Sequence, residues 1–205
     1  MKPKGLIFIL VMAGFNAAAQ DFNGGLKAGI DFSQVDGDRQ EGYHKGGLIF
    51  GGFVSRKLSP RLNWQLEMIY IMKGSKKGAD SLRGIYDYKR IGLNYVEMPM
   101  VMQVWYEKFK LYFEGGLSFG VLISSKEEDE NGTTTLIGPF NPFEFGLVAG
   151  ASFIATPQLS ASARFGYSIL PIANQAIVVG GKTYGGSYNN LIELTLNYLI
   201  LRKEE

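Results

Sequence analysis

The sequence predicts an all-β fold, an eight-stranded antiparallel up-and-down transmembrane β-barrel with short periplasmic turns and long extracellular loops. Three observations predict it. Seven segments alternate apolar and polar residues with period two, as a strand does when its two faces meet different surroundings. The connections between segments alternate short and long without exception. Glycine reaches 27 of 205 residues, against a usual ~7%, and aromatics 13%, with no helix-length periodicity.

Taken in order, Leu26–Ser33 sets Leu26, Ala28, Ile30 and Phe32 against Lys27, Gly29, Asp31 and Ser33. In Lys45–Lys57 apolar residues fall on both faces, so this second strand is assigned to neither. Leu62–Lys73 opposes Leu62, Trp64, Leu66, Met68 and Tyr70 to Asn63, Gln65, Glu67, Ile69 and Ile71, and Asn94–Val104 opposes Val96, Met98, Met100 and Met102 to Tyr95, Glu97, Val101 and Gln103. The pattern recurs from Leu111 to Val121, from Phe143 to Phe153, from Leu159 to Ser168 and from Ile192 to Tyr198. Leu58–Pro60, Tyr106–Phe109 and Ala155–Gln158 are the short turns. Val35–His44, Gly74–Lys89, Ser124–Pro142 and Pro171–Asn189 are the long polar loops.

Alternation alone does not say which face looks inward, and a soluble lipocalin-like carrier of apolar ligands would put the apolar face inside. The polar face argues for the reverse. It is built of Gly, Ser and isolated charges, which suit the crowded interior of a narrow barrel better than a water-facing surface. Trp64, Trp105, Tyr106 and Tyr198 near the short-turn end, with Tyr70 and Tyr167 near the other, are then the expected aromatic girdles at the two bilayer interfaces.

That assignment places Lys27, Glu67, Glu97, Glu114, Arg164 and Glu193 inside as an expected charge network, with Asp31 and Glu144 adding to the acids and Lys73 and Lys110 at the two ends. Charges in a poorly hydrated lumen must be paired, and Arg164 can fork two carboxylates. A polar plug that ties strands together is expected, rather than an open pore, which takes ~16 strands.

The amino terminus carries Lys2 and Lys4, an apolar run Leu6–Phe15 and then Ala17–Ala19. This is the layout of a signal peptide over residues 1–19, leaving residues 20–205 as the barrel and placing it in a bacterial outer membrane. Removing residues 1–19 leaves 19 of the 21 Lys+Arg against 19 Asp+Glu, a neutral balance that speaks against nucleic acid as a partner. With no cysteine and a single histidine, His44, no zinc site and no cofactor is expected. An enzyme acting on lipid would need His44 beside a serine and an acid, and no serine lies near it on the same strand face, so no catalytic residue is assigned. The acids of the first and third loops match no calcium-loop spacing and read as solvated charge.

The chain also resembles PorT-like outer-membrane β-barrel proteins of Bacteroidota. The resemblance rests on Gly25-Leu26-Lys27-Ala28-Gly29-Ile30-Asp31-Phe32-Ser33, on Leu58-Ser59-Pro60-Arg61 with Gln65-Leu66-Glu67-Met68-Ile69-Tyr70, and above all on Leu93-Asn94-Tyr95-Val96-Glu97-Met98-Pro99-Met100. It departs at the carboxyl end, where Leu201-Arg202-Lys203-Glu204-Glu205 replaces a terminal aromatic residue. What the resemblance implies is a non-enzymatic barrel with a structural or interaction role at the cell envelope, accessory to a secretion or assembly complex. Its partners would be outer-membrane lipid and other envelope proteins.

Overall fold

Long strands follow wherever period-two alternation runs, because only a paired strand gives each residue of such a segment a fixed face. The computed structural model describes residues 22–36, 42–77, 89–129, 132–135, 140–173, 177–179, 182–184 and 186–201. The expected signal peptide lies outside the described residues, as do 37–41 and 78–88 of the first two loops and the charged carboxyl end after Leu201.

The described strands are β1 (Asn23–Asp36), β2 (Lys45–Lys57), β3 (Leu62–Lys77), β4 (Lys89–Tyr106), β5 (Leu111–Asp129), β6 (Gly132–Thr135), β7 (Phe143–Ile154), β8 (Leu159–Ser168), β9 (Ile177–Val179), β10 (Lys182–Tyr184) and β11 (Tyr188–Leu201). Eight of them form one antiparallel sheet in the order β4-β3-β2-β1-β11-β8-β7-β5, and pairing of β4 with β5 closes it. Each barrel strand pairs with its neighbour in sequence, and β1 with β11 joins the ends, so no barrel edge is left open. The short strands are extras: β6 pairs with the upper end of β5, and β9 with β10 as a hairpin.

At the short-turn end the chain reverses in four residues at most. Leu58 N–H donates to Leu62 O at 2.8 Å, and Thr156 Oγ1 accepts from Leu159 N–H at 3.0 Å. Between β4 and β5 a single 3₁₀ turn, Glu107–Phe109, ends on Lys110 in the left-handed region (φ 54°, ψ 41°). Lys110 is thereby held in an exposed turn, and the expectation that it joins the interior charges is corrected.

At the opposite end β3, β4 and β5 run to 16, 18 and 19 residues, beyond the ~9–11 that cross a bilayer. Gly74–Lys77, Lys89–Arg90 and Ser124–Asp129 therefore continue as strand where the sequence pattern predicts loop. Here Ser75 and Ser125 are buried on the inward face, and with small or polar residues on both faces the alternation fades while backbone pairing persists.

The apolar face points outward. Leu26, Ile30, Leu48, Phe50, Met68, Met100, Leu117, Phe145, Leu194 and Leu196 are all exposed, from every quarter of the barrel. A soluble protein rarely shows an apolar patch beyond a few hundred Å². The soluble-carrier alternative is overturned by this band, together with an interior that holds charge. Strand β2, left unassigned by the pattern, is settled as well: Lys45, Ile49, Phe53 and Ser55 are buried inside, while Leu48, Phe50 and Val54 face out.

Candidate functional site

The interior of the barrel is organised in layers. Nearer the short-turn end lies a balanced network of two bases and two acids. Arg164 on β8 donates through Nε to Glu114 Oε1 (2.6 Å) and through Nη2 to Glu67 Oε1 (2.7 Å) and Glu114 Oε2 (3.1 Å). Lys27 Nζ on β1 pairs with the other oxygen of Glu67 at 2.6 Å. Neutral donors complete the shell: Gln65 gives to Glu67 at 2.7 Å, Gln103 to Glu114 at 2.7 Å, and Ser152 to Glu114 at 3.1 Å. Four strands are tied through Arg164 and Lys27, and all four charged side chains are at most 1% exposed. Charge-assisted bonds of this kind are the strong ones, and here they offset the cost of burying the ions.

Room for Arg164 comes from its neighbour in register, Gly150 on β7. A Cβ at Gly150 would lie 2.8 Å from Arg164 Cα and 2.9 Å from its Cγ. The small residues of the inward face are thus the counterpart of its long charged ones.

Nearer the loop end a second group centres on Lys73 of β3. Its Nζ contacts Glu144 Oε1 at 2.9 Å and also Glu97, and it sits 5.4 Å from the ring centre of Tyr95. Asn189 Nδ2 donates to the other oxygen of Glu144 at 2.8 Å. Asp31 and Glu193 face one another in register across β1 and β11, both buried. Neither oxygen of Asp31, nor Oε2 of Glu193, meets hydrogen-bond geometry with a described residue. Glu193 is also the register partner of Arg164, yet the guanidinium turns to Glu67 and Glu114 instead.

The structure therefore brings together Lys27, Glu67, Glu114 and Arg164, sets Glu97 in the Lys73 group, and leaves Glu193 buried beside Asp31. Two features were missed in the sequence. Lys45 is 4% exposed inside the barrel, donating to Met72 O at 2.7 Å. It escaped notice because the run Leu48-Ile49-Phe50 with Phe53 and Val54 puts apolar residues on both faces of β2 and left its faces unassigned. The interior is also not only glycine, serine and charge. Val35, Ile49, Ile69, Ile71, Ile91, Leu93, Tyr95 and Leu191 form an apolar cluster towards the loop end, closed by Ile172 from the last loop. Ile69 and Ile71 on the otherwise polar face of β3 were the available signal.

Of the expected girdle residues, Tyr106 and Tyr198 are exposed on the outer face, and Tyr106 packs near Phe109 and Phe113. Trp64 meets Phe22 edge to face, Tyr70 lies 5.1 Å from Phe50, and Tyr167 stacks on Tyr188 at 6.0 Å. Trp105 is a correction. It shares the inward parity of Val101 and Gln103, pairs with Tyr112 at 4.9 Å and lines the mouth of the lumen rather than the lipid face. Trp105 and Tyr106 are consecutive, and a strand sends consecutive side chains to opposite faces, so only one of them can belong to an outer girdle.

His44 is exposed just before β2, and its ring forms no hydrogen bond with a described residue. No group of three or more metal-ligating side chains occurs among the described residues. The arrangement can lock strands to one another across the interior.

Similarity to known proteins agrees with this architecture. Ail, the attachment invasion locus protein of Yersinia pestis, superimposes with a TM-score of 0.51 over 88% of this chain and 99% of its own, at 12% identity. The same protein in complex with the heparin analogue sucrose octasulfate gives 0.50 over 88% and 99%, at 14% identity. Such identities speak for the fold alone. No curated protein matches the chain. The family model described as the outer membrane protein β-barrel domain matches residues 18–174, three-quarters of the sequence, and this chain belongs to that family of outer-membrane barrels.

Proposed function

We propose that the protein is a non-enzymatic barrel with a structural or interaction role at the cell envelope, a PorT-like accessory of a secretion or envelope-assembly complex. Residues 1–19 serve as its signal peptide, and it works without a cofactor. The observation that carries this reading is the filled lumen. Arg164, Lys27 and Lys73 clamp four glutamates across the interior, and the apolar cluster with Ile172 stops the loop end. A barrel so closed serves poorly as a diffusion pore, which leaves its two ends for recognition. The apolar belt takes outer-membrane lipid as its partner, while the long loops and short turns meet other envelope proteins.

Affinity purification of the tagged chain from native membranes in mild detergent tests the proposal. Stoichiometric recovery with envelope proteins is expected. Recovery alone, together with sustained ion conductance in planar bilayers, would overturn it. The enzyme alternative has its own test: His44→Ala is expected to leave folding and phenotype unchanged, and loss of a lipid-modifying activity would reinstate it.

A further inference from the structure

The lumen does not end in a flat plug at the short-turn side. Beneath the Arg164 network lies a cavity of about 360 Å³, within the range of small-ligand sites. Trp105 and Tyr112 form an aromatic wall, their ring centres 4.9 Å apart and their planes inclined by 50°. Asn63, Gln103, Asn197 and Ser160 supply amide and hydroxyl groups. Lys57 is the one charged side chain in the lining.

The amides are organised from within. Asn63 Nδ2 donates to Gln103 Oε1 at 2.6 Å, and Gln103 Nε2 donates to Glu114 Oε2 at 2.7 Å, where Arg164 is bound. The chain of bonds pins both amides in one orientation, with their donors directed towards Glu114. It leaves the amide oxygen of Asn63 outside these bonds. Asn197 donates to Ser162 at 2.6 Å, while its own oxygen has no partner among the described residues.

We infer that this vestibule binds an uncharged saccharide of one or two rings. The faces of Trp105 and Tyr112 are electron-rich and receive the C–H faces of a sugar ring, while fixed amides read its hydroxyls. Lys57 is one charge among eighteen lining residues, so neutral hydrogen-bonding groups and rings make up most of the surface a ligand meets. An extended peptide finds no strand edge here, because every barrel strand is paired on both sides. The site rests on the outer-membrane reading only for which compartment it faces; its ligand chemistry stands on the cavity itself.

The test uses the mature chain refolded in dodecyldimethylamine oxide, whose headgroup carries no sugar, with folding checked by the heat-dependent gel shift. Trp64→Phe leaves Trp105 as the sole tryptophan of the two in the chain. Titration with maltose and with chitobiose is expected to give a saturable change in Trp105 emission with a Kd of order 1 mM, and the stronger of the two tells a plain glucan from an acetamido glycan. Calorimetry on Tyr112→Ala and on Asn63→Ala, each still showing the gel shift, is expected to find affinity at least about tenfold weaker, ~1.4 kcal/mol. No saturable response to either sugar, a response untouched by both substitutions, or a response to trialanine alone overturns the assignment. None of these outcomes bears on the envelope role, which fails instead on the purification and conductance results.

Discussion

The two charged layers of the lumen solve one problem in different ways. In the layer near the short turns, bases and acids match in number, and each carboxylate oxygen of Glu67 and Glu114 receives at least one donor. In the layer near the loops, Lys73 serves Glu97 and Glu144 together, while Asp31 and Glu193 confront one another with Lys45 on the neighbouring strand. The first layer is held by a polar network in which every carboxylate oxygen is served, while Arg164 Nη1 alone of its guanidinium nitrogens meets no partner among the described residues. The second leans on apolar packing by Ile49, Ile69, Ile71 and Leu93 around an excess of acid. In this barrel the excess of acid lies in the layer where a hydrophobic cluster shares the burden of holding strands together.

The sharpest way to break this comparison is to remove the arginine. Arg164→Ala strips three charge-assisted bonds from two buried carboxylates, and breaking buried pairs of this kind costs ~3–5 kcal/mol. A marked fall in the urea midpoint at neutral pH is expected. Partial recovery in acid should accompany it, since protonating Glu67 and Glu114 removes the repulsion that Arg164 had cancelled. A shift no larger than that of Lys108→Ala, an exposed turn residue worth ~0–1 kcal/mol, would show that Arg164 is not the hub.

Lys73→Met comes next. It leaves Glu97 and Glu144 facing one another but fits a methionine against the apolar cluster, so a loss at the lower end of ~3–5 kcal/mol is expected. Unfolding followed at neutral and acid pH checks it, with the larger loss expected at neutral pH. Equal losses at both would mean that packing, not charge, makes Lys73 matter.

Asp31→Asn should move the other way. Discharging Asp31, whose two buried oxygens have no hydrogen-bond partner among the described residues, is expected to stabilise the barrel by ~1–3 kcal/mol at neutral pH. The gain should vanish in acid, where the wild-type carboxylates are themselves neutral. A destabilised Asp31→Asn would reveal that Lys45 pairs with Asp31 closely enough to need its charge. The smallest effect belongs to the rim. Lys110 occupies the left-handed region, where a Cβ costs ~1–2 kcal/mol and glycine costs least, so Lys110→Gly should raise the urea midpoint slightly.

Strand number, closure and the direction of the apolar face were legible in the sequence, because a period of two carried through seven segments leaves few ways to bury one face and solvate the other. The Arg164 network was legible for the same reason: parity put Lys27, Glu67, Glu114 and Arg164 on one face, and counting residues from the short turns put the last three at similar depth. At Trp105 parity and aromatic character point different ways, and parity wins: with Tyr106 facing out, Trp105 lines the lumen mouth. Parity was uninformative in β2, where Ile49 and Phe53 are apolar on the inward face, and so Lys45 was lost. Only the tertiary structure decided which base serves which acid, because partners come from strands up to 97 residues apart and the stagger of a closed barrel sets their depth. It also decided that Ile172 from a loop stops one end while Trp105 and Tyr112 open a cavity at the other. Alternation along a strand fixes a side chain's face, but what it meets across the lumen depends on the shear of all eight strands at once.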